Sequence, residues 1–340
     1  MSYENIVRYF IIETNWLELY QQVIVAFTDP TKRVFWGYLL LSVFVAFVWL
    51  RWFKRKDSKQ AFFTIFSRKV WWSQSAKADY AIFLINKLSF LFIAPLIITQ
   101  LAVATWLFEY LHELLGYRII IGDEWPKWII VTLFTLTYFL LDDFSRFYVH
   151  KLLHEVPALW LFHKTHHSAR TLTPITVFRT HPVEGIIFAL RSVLVQGILI
   201  ALFVFFFGPK ADLYTVLGVG LFAFLFNTLG ANLRHSHIGI GYPDWLERFL
   251  ISPVQHQIHH STDPQHFDKN YGVILAIWDR LFNSLVVSTR GQLLAFGLSR
   301  EEKKGEQNLL FIYFAPFKEL SSLLKAKEPA NKSKGEKLKI

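Results

Sequence analysis

Uncharged apolar runs, separated by short polar stretches, organise this chain. Residues 34–50 carry no charge. Seventeen residues at about 1.5 Å each reach roughly 25 Å, just enough to cross a bilayer. Trp36 and Trp49 stand near the two ends of that run, where indole rings favour the interface. Residues 80–115 form a second run, interrupted at Asn86-Lys87 and at Pro95, and read as a kinked span. Residues 127–148 and 184–207 are two more, and 212–230 return after the tight turn Gly208-Pro209-Lys210. Ahead of them, Ile6, Tyr9, Phe10, Leu17 and Tyr20 recur near helical spacing among acids. Residues 3–27 therefore predict an amphipathic helix lying at the interface, ended by Asp29-Pro30. The expected fold is an all-α, polytopic membrane helical bundle of about four spans. Residues 1–33 hold the interfacial helix and 34–79 the first span with a basic loop. The main membrane domain covers 80–316, with 261–316 as a lid of loops and short helices, and 317–340 form a basic tail expected to be disordered.

Charge gives this pattern an orientation. Arg51, Lys54, Arg55, Lys56 and Lys59 follow the first run at once, with Arg68, Lys69 and Lys77 beyond. By the positive-inside rule this loop is cytoplasmic, which puts the acidic N-terminus outside. The net charge of +10 gathers in such blocks beside apolar runs, so it points to anionic lipid rather than nucleic acid. Hydrophobic residues make up 53% and aromatics 17% of the chain, which also favours a membrane protein. Glu4, Glu13 and Glu18 occupy the place of a basic leader region, so no cleaved signal peptide is expected. The chain has no cysteine, which excludes disulfides and thiolate metal sites. Any metal would be held by histidine, carboxylate or water.

Histidine is the candidate chemistry. Ten of the thirteen histidines fall in two windows: His150, His154, His163, His166 and His167, then His235, His237, His256, His259 and His260. On a helix, His150 and His154 share one face and can chelate one ion. His163 and His166 form an i, i+3 pair, and His167 points about 100° away, toward a second ion; His256, His259 and His260 repeat this. Ten nitrogens are more than one ion needs and suit two. Both windows stand at the ends of expected spans on the cytoplasmic side, so the expected architecture carries a cytoplasmic, His-rich di-metal cap. Spacing alone leaves iron and zinc open, and with zinc a hydrolase. A non-redox membrane metal-binding or transport protein is the alternative from another class. Transporters place ligands near the bilayer midplane, whereas these clusters lie beyond the span ends beside Lys151, Lys164 and Arg170.

The stretches from Asp143 through His150 to Glu155, Leu159 to Ser168, Arg179 to Glu184, Arg234 to His237, Pro253 to Ser261, Asp268 to Gly272 and Trp278 to Phe282 together resemble the integral-membrane fatty acid hydroxylase/sterol desaturase superfamily. The resemblance covers about residues 80–285. It implies a non-haem di-iron centre that uses O2 to oxidise an unactivated C–H bond of a membrane lipid: a fatty acyl, sterol-like or ether lipid. Hydroxylation is the expected outcome and desaturation the alternative on the same site. The ten histidines are the ligands this implies. His237, where relatives often carry Asn, has a place behind a ligand or on the surface as alternatives. Asp143, His181, Glu184, Asp268, Asn270 and Asp279 are expected to support the ligands from behind; Asp143 would accept a ligand's second ring nitrogen, or pair with Arg146. His112 and His266 are assigned to neither role. Electrons would come from a separate cytochrome b5-, ferredoxin- or reductase-type protein. The expected location is a bacterial inner membrane, with clusters and C-terminus cytoplasmic.

Overall fold

The computed structural model describes residues 14–116, 120–216, 218–289, 294–298 and 307–327. Its elements are almost all helical. The expected N-terminal helix appears as α1 (Thr14–Thr28), and Asp29 ends it, its carboxylate accepting from the Thr31 amide and hydroxyl. Residues 3–13 of that expectation lie outside the described residues. The first apolar run forms α2 (Trp36–Val48), continued by a π-helical turn, Trp49–Phe53. A capping box between Asp57 and Gln60 opens α3 (Ser58–Ile65).

Next come α4 (Gln74–Ile93) and α5 (Gln100–Leu115). They are joined by the 3-10 turn Ala94–Leu96, which holds Pro95. The expected kink is thus at the proline. Asn86-Lys87 does not interrupt α4, because the Asn86 amide reaches out to the carbonyls of Phe178 and Thr180 instead of competing with its own helix. Helix α6 (Lys127–Glu155) has 29 residues, about 44 Å, against a hydrocarbon thickness of about 30 Å. Its last turns therefore project from the bilayer, and they carry His150 and His154. Val156 turns the chain, and Pro157 starts α7 (Pro157–His167). Helix α8 (Pro182–Phe207) packs along α5, closest at Gly197, where a β-carbon would sit 3.0 Å from the Gln100 carbonyl. Asp142 ties α6 to α8 through Arg191 and Gln196 and also pairs with Arg146.

The return through 212–230 follows the expected path but is not a full helical span. It runs down α6 as a two-residue hairpin, β1 (Thr215–Val216) with β2 (Val219–Gly220), then α9 (Leu221–Thr228). The Tyr214 amide donates to Thr135, and Phe222 stacks on Phe139 at 4.1 Å. Gly218, at φ +75°, and Gly220 break the helical run that apolarity alone suggested.

Four helical stretches are long and apolar enough to cross a membrane: Trp36–Phe53, Gln74–Leu115, Lys127–Glu155 and Pro182–Lys210. The protein is a multi-pass membrane protein. Beyond the ends of α6 and α8 lies a polar cap built from α7, α10 (Pro253–His259), α11 (Ile277–Leu281) and the loops between them. Gln257 fastens residues 233–238 to α10, its amide donating to the carbonyls of Leu233, Ser236 and Ile238. Helix α12 (Leu309–Lys327) closes one side of the cap against α7. It crosses the position, 316/317, where the tail was expected to begin; residues 328–340 lie outside the described residues.

Candidate metal centre

Nine of the ten predicted histidines converge in two buried groups. His150, His154, His163, His167 and His259 form one, and His166, His235, His256 and His260 the other; within each group the ligand atoms lie within 4.8 Å of one another. The groups touch face to face, with the rings of His167 and His260 stacked at 4.6 Å. Each HxxHH run divides in a way the spacing argument assigned differently. The i, i+4 pairs His163/His167 and His256/His260 each stay in one group, while His166 and His259 cross to the other. On a helix of 3.6 residues per turn, i+4 is rotated by about 40° and i+3 by about 60°, so the i+4 pair holds the common face better.

Partners behind the rings set their orientation. His150 Nδ1 donates to the Tyr271 carbonyl at 2.7 Å, and His259 Nδ1 to the Lys269 carbonyl at 2.7 Å. His166 Nδ1 reaches the Arg179 carbonyl at 3.3 Å. His163 Nδ1 lies 3.1 Å from Glu184, both side chains buried, and His154 Nδ1 lies 3.6 Å from Asp268. A neutral ring that donates through Nδ1 keeps its Nε2 lone pair free, the form a metal requires. In the first group the buried Nε2 atoms of His154, His163, His167 and His259 have no hydrogen-bond partner. In the second group Nε2 atoms face one another: His235 to His166 at 3.1 Å, His256 to His235 at 3.0 Å, His260 to His256 at 3.3 Å. Nitrogens about 2.1 Å from one ion lie about 3.0 Å apart in an octahedral shell and about 3.4 Å apart in a tetrahedral one. The observed edges fall in that range. Burial, reinforced by the neighbouring imidazoles, holds His166, His167, His235, His256, His259 and His260 well below the ordinary histidine range. The donor set fits two nitrogen-bound transition-metal ions.

His237 stands outside both groups, its Nε2 bonded to the Thr64 carbonyl at 2.7 Å. Asp143 touches no histidine and does not pair with Arg146. It accepts from the amides of Ile274 and Leu275 and from the Trp278 indole, pinning the 274–278 segment to α6. His181 caps α8 through Nδ1 and meets the Tyr313 carbonyl through Nε2. Asn270 and Asp279 act on the loop that feeds the site. Asn270, fully buried at φ +55°, bonds the Gln255 and Val286 carbonyls, and Asp279 takes the amides of Tyr271 and Gly272. That clamp presents the Lys269 and Tyr271 carbonyls to His259 and His150. His112 lies apart against Phe108 and Phe205. The carbonyls of Lys269, Tyr271 and Arg179 escaped the sequence reading because a backbone acceptor carries no residue signature. Trp160, whose ring lies 5.1 Å from His154 and 5.5 Å from His167, was also missed.

Comparison with known proteins places this geometry. Residues 135–284 match the family described as fatty acid hydroxylase. The alkylglycerol monooxygenase of Xenopus tropicalis is 29% identical over 185 residues, 52% of this chain and 35% of that protein. A Delta(7)-sterol 5(6)-desaturase of Gibberella zeae is 28% identical over 178 residues, 52% of this chain and 49% of that protein. The lathosterol oxidase of Mus musculus is 27% identical over 178 residues, 52% of this chain and 53% of that protein. The chain spans about a third to a half of the length of these relatives. No solved structure matches it significantly.

Proposed function

The chain belongs to the fatty acid hydroxylase superfamily, and from that premise we propose that it is a di-iron lipid oxidoreductase, most simply a hydroxylase. The observation that carries this reading is the pair of adjoining five- and four-histidine groups at the cap end of α6. All-imidazole donors suit iron, zinc or copper; we take iron, a redox-active ion, because the relatives' names are those of a monooxygenase, a desaturase and an oxidase. Iron held there would supply O2 activation and removal of hydrogen from an unactivated C–H bond. The balance for hydroxylation is one C–H bond and one O2 consumed, two electrons and two protons taken up, and an alcohol and water formed. We assign the electrons to a separate cytochrome b5-, ferredoxin- or reductase-type protein.

The chain's own residues do the rest. Glu184 and the Lys269 and Tyr271 carbonyls orient His163, His259 and His150 as ligands. Burial of the rings keeps bulk water from the reacting positions. A groove of about 670 Å³ between α7 and α12 is lined mainly by Pro157, Trp160, Leu161, Phe311 and Leu323, with Lys318, Glu319 and Ser322 at its polar side, and Trp160 in its wall is the residue whose ring lies beside His154 and His167. Its apolar lining suits an acyl, sterol-like or ether lipid. Desaturation is the second reading, favoured by the names of the sterol-acting relatives.

The test is O2 uptake by the purified, iron-loaded protein with membrane lipid extract and an artificial reductant. Uptake should yield an oxidised lipid and vanish in His259→Ala together with the iron of the five-histidine group. Full turnover by metal-free protein contradicts the reading.

A further inference from the structure

Helix α2 has the length and apolarity of a span, yet its contacts are those of a helix lying on the cap. At its N-terminal end, Arg33 donates to the Ala231 carbonyl at 2.6 Å and reaches His235 Nδ1 at 3.5 Å, and Asn232 donates to the Arg33 carbonyl. At its C-terminal end, Ala46 and Leu50 pack with Leu233, Ile238 and Ile240 in one buried cluster with Ala61 and Ile65. Just beyond, the Thr64 carbonyl meets His237. From Arg33 to Leu50 the chain rises about 26 Å, and residues 231–240 accompany it along that length. Those residues are the cap: they hold His235, Gln257 fastens their carbonyls, and the Ile240 carbonyl accepts from Val254 of α10. Turning α2 across the bilayer would drag this irregular, hydrogen-bonded backbone into hydrocarbon, where such backbone is not tolerated facing lipid.

The two faces of α2 agree. Tyr38, Ser42, Ala46 and Leu50, four residues apart, are buried, Tyr38 against Phe224 of α9 and Ala46 and Leu50 against the cap residues Leu233, Ile238 and Ile240. On the opposite face Trp36, Leu40 and Phe44, also four apart, are 55%, 61% and 62% exposed. Trp52, Phe53, Phe62, Phe63, Phe66 and Trp72 continue the exposed apolar surface. Around it stand Lys54, Arg55, Lys59, Arg68 and Lys69, all exposed and without an ion pair among the described residues.

We propose that Trp36–Trp72 is a membrane-docking platform: α2 lies flat in the leaflet on the cap side, its aromatic face in the acyl boundary and its basic rim on anionic headgroups. The helical crossings are then α4 with α5, α6 and α8, and the irregular 212–230 segment returns to the cap along α6. Residues 28–33 stand on the cap side, not on the far side that the positive-inside argument assigned. The inference is independent of the reaction the centre performs.

The chain has no cysteine, so any introduced thiol is unique. The experiment places single cysteines at Thr31→Cys and Ser58→Cys, flanking α2, at Ser321→Cys on α12 and at Asp123→Cys in the α5–α6 turn. An impermeant maleimide is applied to sealed proteoliposomes of phosphatidylethanolamine and phosphatidylglycerol with the protein in one orientation. The platform predicts that Thr31→Cys and Ser58→Cys both label from the Ser321 side. Labelling of either with Asp123 overturns it and makes α2 a span. A fluorophore on Phe44→Cys should be quenched by lipid-borne nitroxides. Loss of that quenching with the labelling pattern kept means a protein partner covers the face, and also overturns the lipid assignment.

Discussion

His166 and His259 are the two residues that knit the centre together, because each leaves its own helix's pair and joins the other group. The histidine spacing made a two-ion site legible in the sequence, since eight histidines in i, i+3 and i+4 relations have few other uses. It did not separate His237 from His235, two positions away on the same segment. In extended backbone, residues two apart point the same way, whereas here the Ser236 side chain bonds the Leu233 and Ile238 carbonyls and bends the segment between the two rings. His235→Ala should therefore lose about half the bound metal. His237→Ala should keep it all and lose only a hydrogen bond, about 1 kcal/mol of stability. Metal analysis and thermal unfolding of the two variants check this; equal metal loss would place His237 in the centre after all.

Between elements, the cap depends on contacts that no local pattern announces. Arg179 and Asp79 are fully buried and paired at 2.8 Å, joining the start of α4 to the loop that follows α7. Arg179 also donates to the Thr165 carbonyl and Ser168 while its own carbonyl supports His166. The sequence shows a lone acid near the start of an apolar run and a basic residue a hundred positions later, with nothing to link them. Asp143 shows the same limit: its placement seven residues before His150 suggested a ligand's partner, and the structure uses it to hold a distant loop. Breaking a buried ion pair from one side leaves an uncompensated charge, at about 3–5 kcal/mol. Arg179→Met should lower the unfolding temperature sharply in detergent, and Asp79→Leu with Arg179→Met should recover part of the loss. Equal instability in the double variant would mean that the hydrogen bonds of Arg179, not its charge pairing, hold the cap.

For the whole molecule, the hydropathy pattern revealed the helical bundle and marked α2 as long and apolar enough to cross; the platform proposal departs from it there, because length and apolarity do not distinguish a helix in the bilayer from one on its surface. Acid is expected to act on the assembled centre. The cap histidines are held neutral by burial, below the ordinary value of 6.5. As pH falls through about 6.5 the unfolded chain takes up protons that the folded chain resists, so stability and metal affinity both decline on that side. Dialysis at pH 5 should strip metal that dialysis at pH 7.5 retains; equal retention would argue against imidazole ligation.

The most direct measurement is the metal content of protein purified in detergent from iron-supplied cells, by elemental analysis with iron spectroscopy. The two-group geometry predicts about two irons per chain, falling to about one in His260→Ala. A single ion unaffected by His260→Ala, or zinc that iron supply does not displace, would contradict the account.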